Sequence, residues 1–178
     1  MITKMAPLLQ QNEKFALDYT AVPLGRFEAQ LLLVTCLDHR IDPAKALGLQ
    51  LGDAPVIRNA GGRVTQPVVD DIAFLAFLAE QFFGESDFLF EVAVLHHNQC
   101  GTGFLVDADF RRLAAGAIGV PEETLAASAV VDPAVTVQED VERLLNSPLI
   151  SPKVSVSGHV YDVETGLVKT VIDARRPA

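Results

Sequence analysis

The sequence predicts an α/β fold with a mostly parallel central β-sheet flanked by helices. Three observations carry the prediction. A continuous apolar run at residues 31–34 has the composition of a strand buried on both faces, and 54–57 and 88–95 read as a second short strand and a third apolar strand. Segments of helical periodicity separate these runs, so strands and helices alternate along the chain. The residues with the most distinctive chemistry fall just past the ends of the runs, where open α/β sheets bind their ligands.

The elements follow in order. Residues 8–20 read as a short amphipathic helix or arm, with Leu8, Leu9, Phe15, Ala16 and Tyr19 apolar, and Pro23 and Gly25 end it. Leu31-Leu32-Leu33-Val34 is the first strand, and Cys36 sits just beyond it. The second strand, 54–57, leads into Arg58-Asn59-Ala60-Gly61-Gly62, where paired glycines imply tight backbone or close approach. A long helix is expected over 66–83. Thr65 is its candidate cap, Pro67 lies in the first turn, and Asp70 and Asp71 lie near its positive end. Its stripe of Ile72, Leu75, Ala76, Ala79 and Phe82 is widened by Phe74, Phe77 and Leu78. That surplus reads as a subunit interface, against the alternative of a helix fully buried in the monomer. Residues 88–95 form the third strand, with His97 and Cys100 after it. A helix is expected over 104–115, a Gly-, Ala- and Pro-rich loop over 116–134, and a helix over 135–145. Residues 154–171 alternate around Glu164-Thr165-Gly166 and read as a closing hairpin.

The 178 residues suit one domain, 1–178, with an N-terminal arm or helix over 1–25. A formal charge of −9 and no Lys/Arg run argue against a nucleic acid partner and against a basic membrane-binding face. Met1 to Tyr19 has no apolar stretch behind basic residues, and no segment approaches the roughly 20 apolar residues of a span. The expected address is the cytoplasm, where cysteines serve more often as metal ligands or catalytic groups than in disulfides.

The chain has two cysteines, and each lies in a motif. Cys36-Leu37-Asp38-His39-Arg40 follows the first strand, and His97-Asn98-Gln99-Cys100 follows the third. Two thiols and one imidazole make a three-ligand zinc set that leaves one coordination position for water, as catalytic zinc sites do. The alternatives for the cysteines are buried inert thiols or a disulfide. Asp38 and Arg40 lie two apart and suit a planar, bidentate ion pair that keeps the carboxylate ionised. Such a carboxylate can accept the hydrogen of a zinc-bound hydroxide. Released from Arg40, Asp38 can instead become a fourth ligand and close the site. The alternative is a surface ion pair of little worth. His96 reads as structural or as a support to its neighbour, His159 as an ordinary strand histidine, and His39 carries no assigned role. Gly101-Thr102-Gly103 fails as a dinucleotide loop, because the third glycine position falls on Val106.

Cys-x-Asp-x-Arg, then Arg-Asn-Ala-Gly, then His-x-x-Cys-Gly, resembles the β-class carbonic anhydrases. The likeness runs from about Leu31 to Gly103 and is nearest to the small bacterial and fungal branch, which also contains carbonyl sulfide hydrolases. The resemblance implies Zn2+ held by Cys36, His97 and Cys100, with Asp38 and Arg40 as the catalytic gating pair. It implies a pocket lined by backbone at Ala60, Gly61 and Gly101, and a homodimer or homotetramer. The activity it implies is reversible hydration of carbon dioxide by a zinc hydroxide, zinc lowering the pKa of water toward about 7. Hydrolysis of carbonyl sulfide or carbon disulfide to hydrogen sulfide at the same site is the alternative, and an inactive zinc-binding scaffold a third. Two features depart from the pattern. Residues 23–28 offer no pocket Gln, and the chain has no Trp. Arg58 matches the Arg of an inhibitory bicarbonate site in some bacterial members, but without the Trp that regulation is not expected.

Overall fold

The computed structural model describes residues 4–84 and 89–177. The chain order is α1 (Ala6–Leu17), β1 (Leu31–Cys36), α2 (Pro43–Leu47), β2 (Val56–Asn59), α3 (Gln66–Phe83), β3 (Glu91–His97), α4 (Ala108–Ile118), α5 (Glu122–Ala127), α6 (Pro133–Leu145), β4 (Ser155–Tyr161) and β5 (Val168–Arg175). Two 3-10 turns, Ala60–Gly62 and Gly101–Val106, follow β2 and β3.

The strands form one sheet in the order β2-β1-β3-β4-β5. The first three pairings are parallel, and β4 with β5 is antiparallel. From β1 the chain steps outward to β2 and then returns to the other side of β1 with β3. The carboxyl ends of β1 and β3 therefore flank the point where strand order reverses, which is the ligand crevice of open α/β sheets.

Side chains alternate across a strand, and the alternation separates two cores. Leu32, Val34, Val92, Val94 and Val156 join Val68, Val69, Ile72 and Ala76 of α3 and Val137, Val141 and Leu144 of α6 in the main cluster. Leu33, Ala93 and Leu95 form a smaller one, with Leu31 and Tyr161 against it. Burial on both faces accounts for the apolar composition of β1 and β3, whereas β2, expected to be buried in the same way, is an edge strand whose residues are exposed or half-buried.

Several boundaries differ from the sequence reading, for local reasons. The helix expected over 104–115 is a 3-10 turn followed by α4. Asp107 caps α4 by accepting from Phe110 N, which restarts the chain as α-helix. The expected loop 116–134 contains α5, with Glu122 and Glu123 in its first turn. Helix α2 was not expected, because five residues cannot display a period. Its signals are its ends: Asp42 caps it, Pro43 opens it, and Gly48 closes it in the left-handed conformation. Strand β3 extends through His97, and Phe88 lies outside the described residues. Thr65 occupies the cap position of α3 without a side-chain cap bond. Phe74 and Phe77 are 59% and 55% exposed, so α3 is not fully buried within the monomer. Among the described residues no helix is long and apolar enough to cross a membrane.

Candidate metal centre

Strand β1 delivers Cys36 at its last position, and β3 delivers His97 at its last. Cys100 follows after a turn whose Gln99 adopts φ 52°. The two thiols and the imidazole each bring one donor atom within 4.8 Å of the others, and all three residues are buried.

Backbone complementarity shapes the first loop. Gly62, at φ 69°, lies under the Thr35–Cys36 peptide, and a Cβ there would stand 2.7 Å from Cys36 N. Gly61, at φ 81°, approaches Ser128 O equally closely. Both positions demand glycine, which gives the close approach expected from the sequence its partners. Arg58 then clamps the loop. Its Nε donates to Cys36 O at 3.0 Å, and its Nη2 donates to Asp38 O at 2.8 Å and Ile41 O at 2.9 Å. This guanidinium is spent on carbonyls of the Cys36 loop.

Asp38 and Arg40 form the bidentate pair expected of them. Arg40 Nε lies 3.0 Å from Oδ1 and Nη2 2.7 Å from Oδ2, and Arg40 N also donates to Oδ1 at 2.9 Å. Hydrogen bonds from Arg40, reinforced by its charge, hold the Asp38 carboxyl well below the usual carboxylate range despite its burial. Arg40 Nη2 also donates to Gln99 O at 2.9 Å, so it ties the first loop to the second.

The hairpin braces the second loop. Asn98 Nδ2 donates to Asp162 Oδ1 at 3.0 Å, and Val163 N donates to Asn98 Oδ1 at 2.9 Å. Gln99 Nε2 donates to Glu164 Oε1 at 2.6 Å. Behind His97, buried His96 sits 2.8 Å from Thr136 Oγ1 and 3.2 Å from Gly62 O, linking β3 to α6 and the glycine turn. Asp140, 2% exposed, joins this region by accepting from Arg63 and from Val64 N. His39 is 94% exposed at its side chain, and His159 contacts Ser157 and Thr170 within the sheet. Sequence reasoning gave no role to Asn98, Asp140 or Thr102. Single polar residues in loops carry no periodic signal, and their partners lie up to 77 residues away.

The donor set fits a zinc ion. His97 Nδ1 lies 2.8 Å from Asn98 O, an acceptor, which leaves Nε2 as the lone-pair nitrogen. That atom is buried without a hydrogen-bond partner, an expensive condition for a polar atom that a metal would relieve. The sulfurs are 3.9 Å apart. A disulfide needs about 2.05 Å, whereas two sulfurs on one tetrahedral zinc lie about 3.8 Å apart. One hydrogen bond joins the two thiols, with either sulfur able to supply the proton. That contact lowers the pKa of Cys100 and raises that of Cys36, which burial raises further. A cation that replaces that proton satisfies both sulfurs at once. Ala60 and Gly61 lie in the turn after β2, and Gly101 directly follows Cys100.

Known proteins are similar to this chain in sequence and in fold. The family model described as carbonic anhydrase matches residues 31–168. Beta-carbonic anhydrase 1 of Mycobacterium tuberculosis is 31% identical over 141 residues, covering 79% of this chain and 81% of that protein. A carbon disulfide hydrolase of Acidithiobacillus thiooxidans is 34% identical over 157 residues, covering 77% and 74%. Among solved structures, a carbonic anhydrase from Streptococcus mutans superimposes with a TM-score of 0.79 at 35% identity, covering 96% of this chain and 99% of that one. With the family model spanning β1 to β4 and ending at the first residue of β5, the chain belongs to the β-carbonic anhydrase family of enzymes.

Proposed function

We propose that this protein catalyses reversible hydration of carbon dioxide to bicarbonate and a proton, with zinc held by Cys36, His97 and Cys100. The observation that carries the reading is the convergence of those three donor atoms beside a carboxylate locked by arginine. When bound, zinc supplies Lewis acidity that brings the pKa of water toward about 7. The residues of the chain do the rest. Asp38 Oδ2 lies 3.9 Å from His97 Nε2, at the edge of the donor set. Kept ionised by Arg40, it accepts a hydrogen bond from the attacking oxygen and aims a lone pair at the substrate carbon. Arg40 prevents the carboxylate from turning inward as a fourth ligand. Ala60, Gly61 and Gly101 offer small side chains or none, and on this reading they line a pocket for a narrow linear molecule.

Similarity to a carbon disulfide hydrolase favours a second reading. The same residues would direct the same attack at carbon disulfide or carbonyl sulfide and release hydrogen sulfide. A substrate panel on zinc-loaded protein separates the two. Stopped-flow hydration of carbon dioxide should be fast and sulfide release slow. Efficient sulfide release with feeble hydration would replace the first reading by the second.

The working unit is proposed to be a single domain, 1–178, assembled as a homodimer or homotetramer. Exposed Phe74 and Phe77 of α3, Phe110 and Leu113 of α4, and Phe104 between β3 and α4 support assembly, since apolar surface of this kind is usually covered. A cytoplasmic setting, where thiols stay reduced and available to a metal, is part of this reading.

A further inference from the structure

We propose that Thr102 is a positioning residue: its hydroxyl donates a hydrogen bond to the Cys100 sulfur and so sets how strongly that thiolate donates to a bound metal. The proposal rests on the reading of Cys36, His97 and Cys100 as the metal ligands. Thr102 Oγ1 lies 3.1 Å from Cys100 Sγ. A ligating cysteine is a thiolate and has no proton to give, so the hydroxyl is the donor of this pair.

The local fold confines the hydroxyl. Cys100 O accepts from Gly103 N at 2.9 Å, which closes the turn on which Thr102 sits. Across the site, Thr102 Oγ1 stands 3.2 Å from the place a Cβ on Gly61 would occupy. The glycine turn thus leaves room for the hydroxyl and little else.

The two sulfurs differ in what supports them. Cys36 Sγ pairs with the other thiol at 3.9 Å. Cys100 Sγ has that same contact and, in addition, the Thr102 hydroxyl at 3.1 Å. Backbone donors are fixed by the fold, but a side-chain donor is a free choice of sequence. A hydrogen bond to a thiolate draws electron density from sulfur and orients its remaining lone pairs, and partners of this kind tune a metal site from outside its ligand shell.

Thr102→Val places a methyl where the hydroxyl lies and keeps the shape. Thr102→Ala removes the hydroxyl differently, and Thr102→Ser retains it. Each variant is purified as the full chain, its fold checked by thermal melting. Zinc affinity is measured by chelator competition, and the sulfur-to-cobalt charge-transfer absorption is recorded after Co2+ substitution. The expected result is a loss of zinc affinity of about tenfold or more in the Val and Ala variants. Their cobalt band should move to longer wavelength, while Ser behaves as wild type. Wild-type affinity and an unmoved band in Thr102→Val overturn the proposal. So does a Ser variant as defective as Val, since packing rather than the hydrogen bond would then be responsible. Failure of the ligand reading looks different: wild-type protein itself would show no cobalt–thiolate band and would carry no zinc.

Discussion

The two loops that bring the donor atoms together are held in opposite ways. The Cys36 loop is gripped from the adjacent strand, by one guanidinium spanning the carbonyls of Cys36, Asp38 and Ile41. The His97 turn is held at a distance, by Asn98 and Gln99 reaching the β4–β5 hairpin about 65 residues further on. On the proposed reading the first loop carries the reactive carboxylate as well as a ligand, and its support is cationic and concentrated. The second would carry ligands only, and its support is spread over several weaker bonds. Arg40, bound to both Asp38 and Gln99 O, is the point where the two meet. The contrast suggests that the orientation of the carboxylate tolerates less error than the positions of the donor atoms, which a metal would itself correct.

The largest expected effect treats the loops alike. Cys36→Ala on one side and His97→Ala on the other should each abolish tight zinc binding. Each should also lower the melting temperature, because metal affinity adds to folding stability. Elemental analysis with thermal melting checks this. A variant that keeps one zinc per chain would remove that residue from the ligand set.

Asp38→Asn should separate the loops. It keeps the shape and the zinc but loses the charge facing Arg40, so activity should fall about a hundredfold or more with metal content unchanged. The pH dependence has a definite sign. Arg40 depresses the folded-state pKa of Asp38 below its unfolded value, which is about 3.9. The stabilisation is therefore fully present above about pH 4 and is lost as pH falls through the folded value. The melting gap between wild type and Asp38→Asn should narrow on going from about pH 6 to about pH 3. A gap that widens toward acid would contradict the ion pair.

What could be read from the sequence divides along the same line. Strands β1 and β3 were visible because burial on both faces leaves mostly apolar sequence, and the donor residues because cysteine and histidine are scarce and sat at strand ends. Gly61 and Gly62 announced a close approach, and the structure supplies the partners in Thr35, Cys36 and Ser128. The supports were hidden. Arg58 was visible only as part of a motif, and its targets are backbone carbonyls, which have no residue identity. Asn98 reads as an ordinary loop residue until the hairpin at Asp162 and Val163 is folded against it. Helices α2 and α5 escaped because five or six residues show end signals but no period.

The smallest expected effect tests the asymmetry directly. Arg58→Met keeps the aliphatic stem and deletes the fork that meets three carbonyls. Hydrogen bonds to a charged group contribute more than neutral ones, but this guanidinium is largely exposed and its bonds are not additive, so the loss should be about 2 kcal/mol. Asn98→Ala deletes one donor and one acceptor and should cost about 1 kcal/mol. Denaturant unfolding of the metal-free variants measures both without interference from zinc. The activity of the zinc-loaded proteins supplies the decisive contrast. Bound metal should restore the Asn98 variant nearly to wild type, because the ion re-forms the geometry of His97 and Cys100. It should not restore the Arg58 variant, because Asp38 sits on the loosened loop and is not a ligand while paired with Arg40. Equal recovery in both would mean that the two loops are held with equal precision and that the clamp on the Cys36 loop serves stability alone.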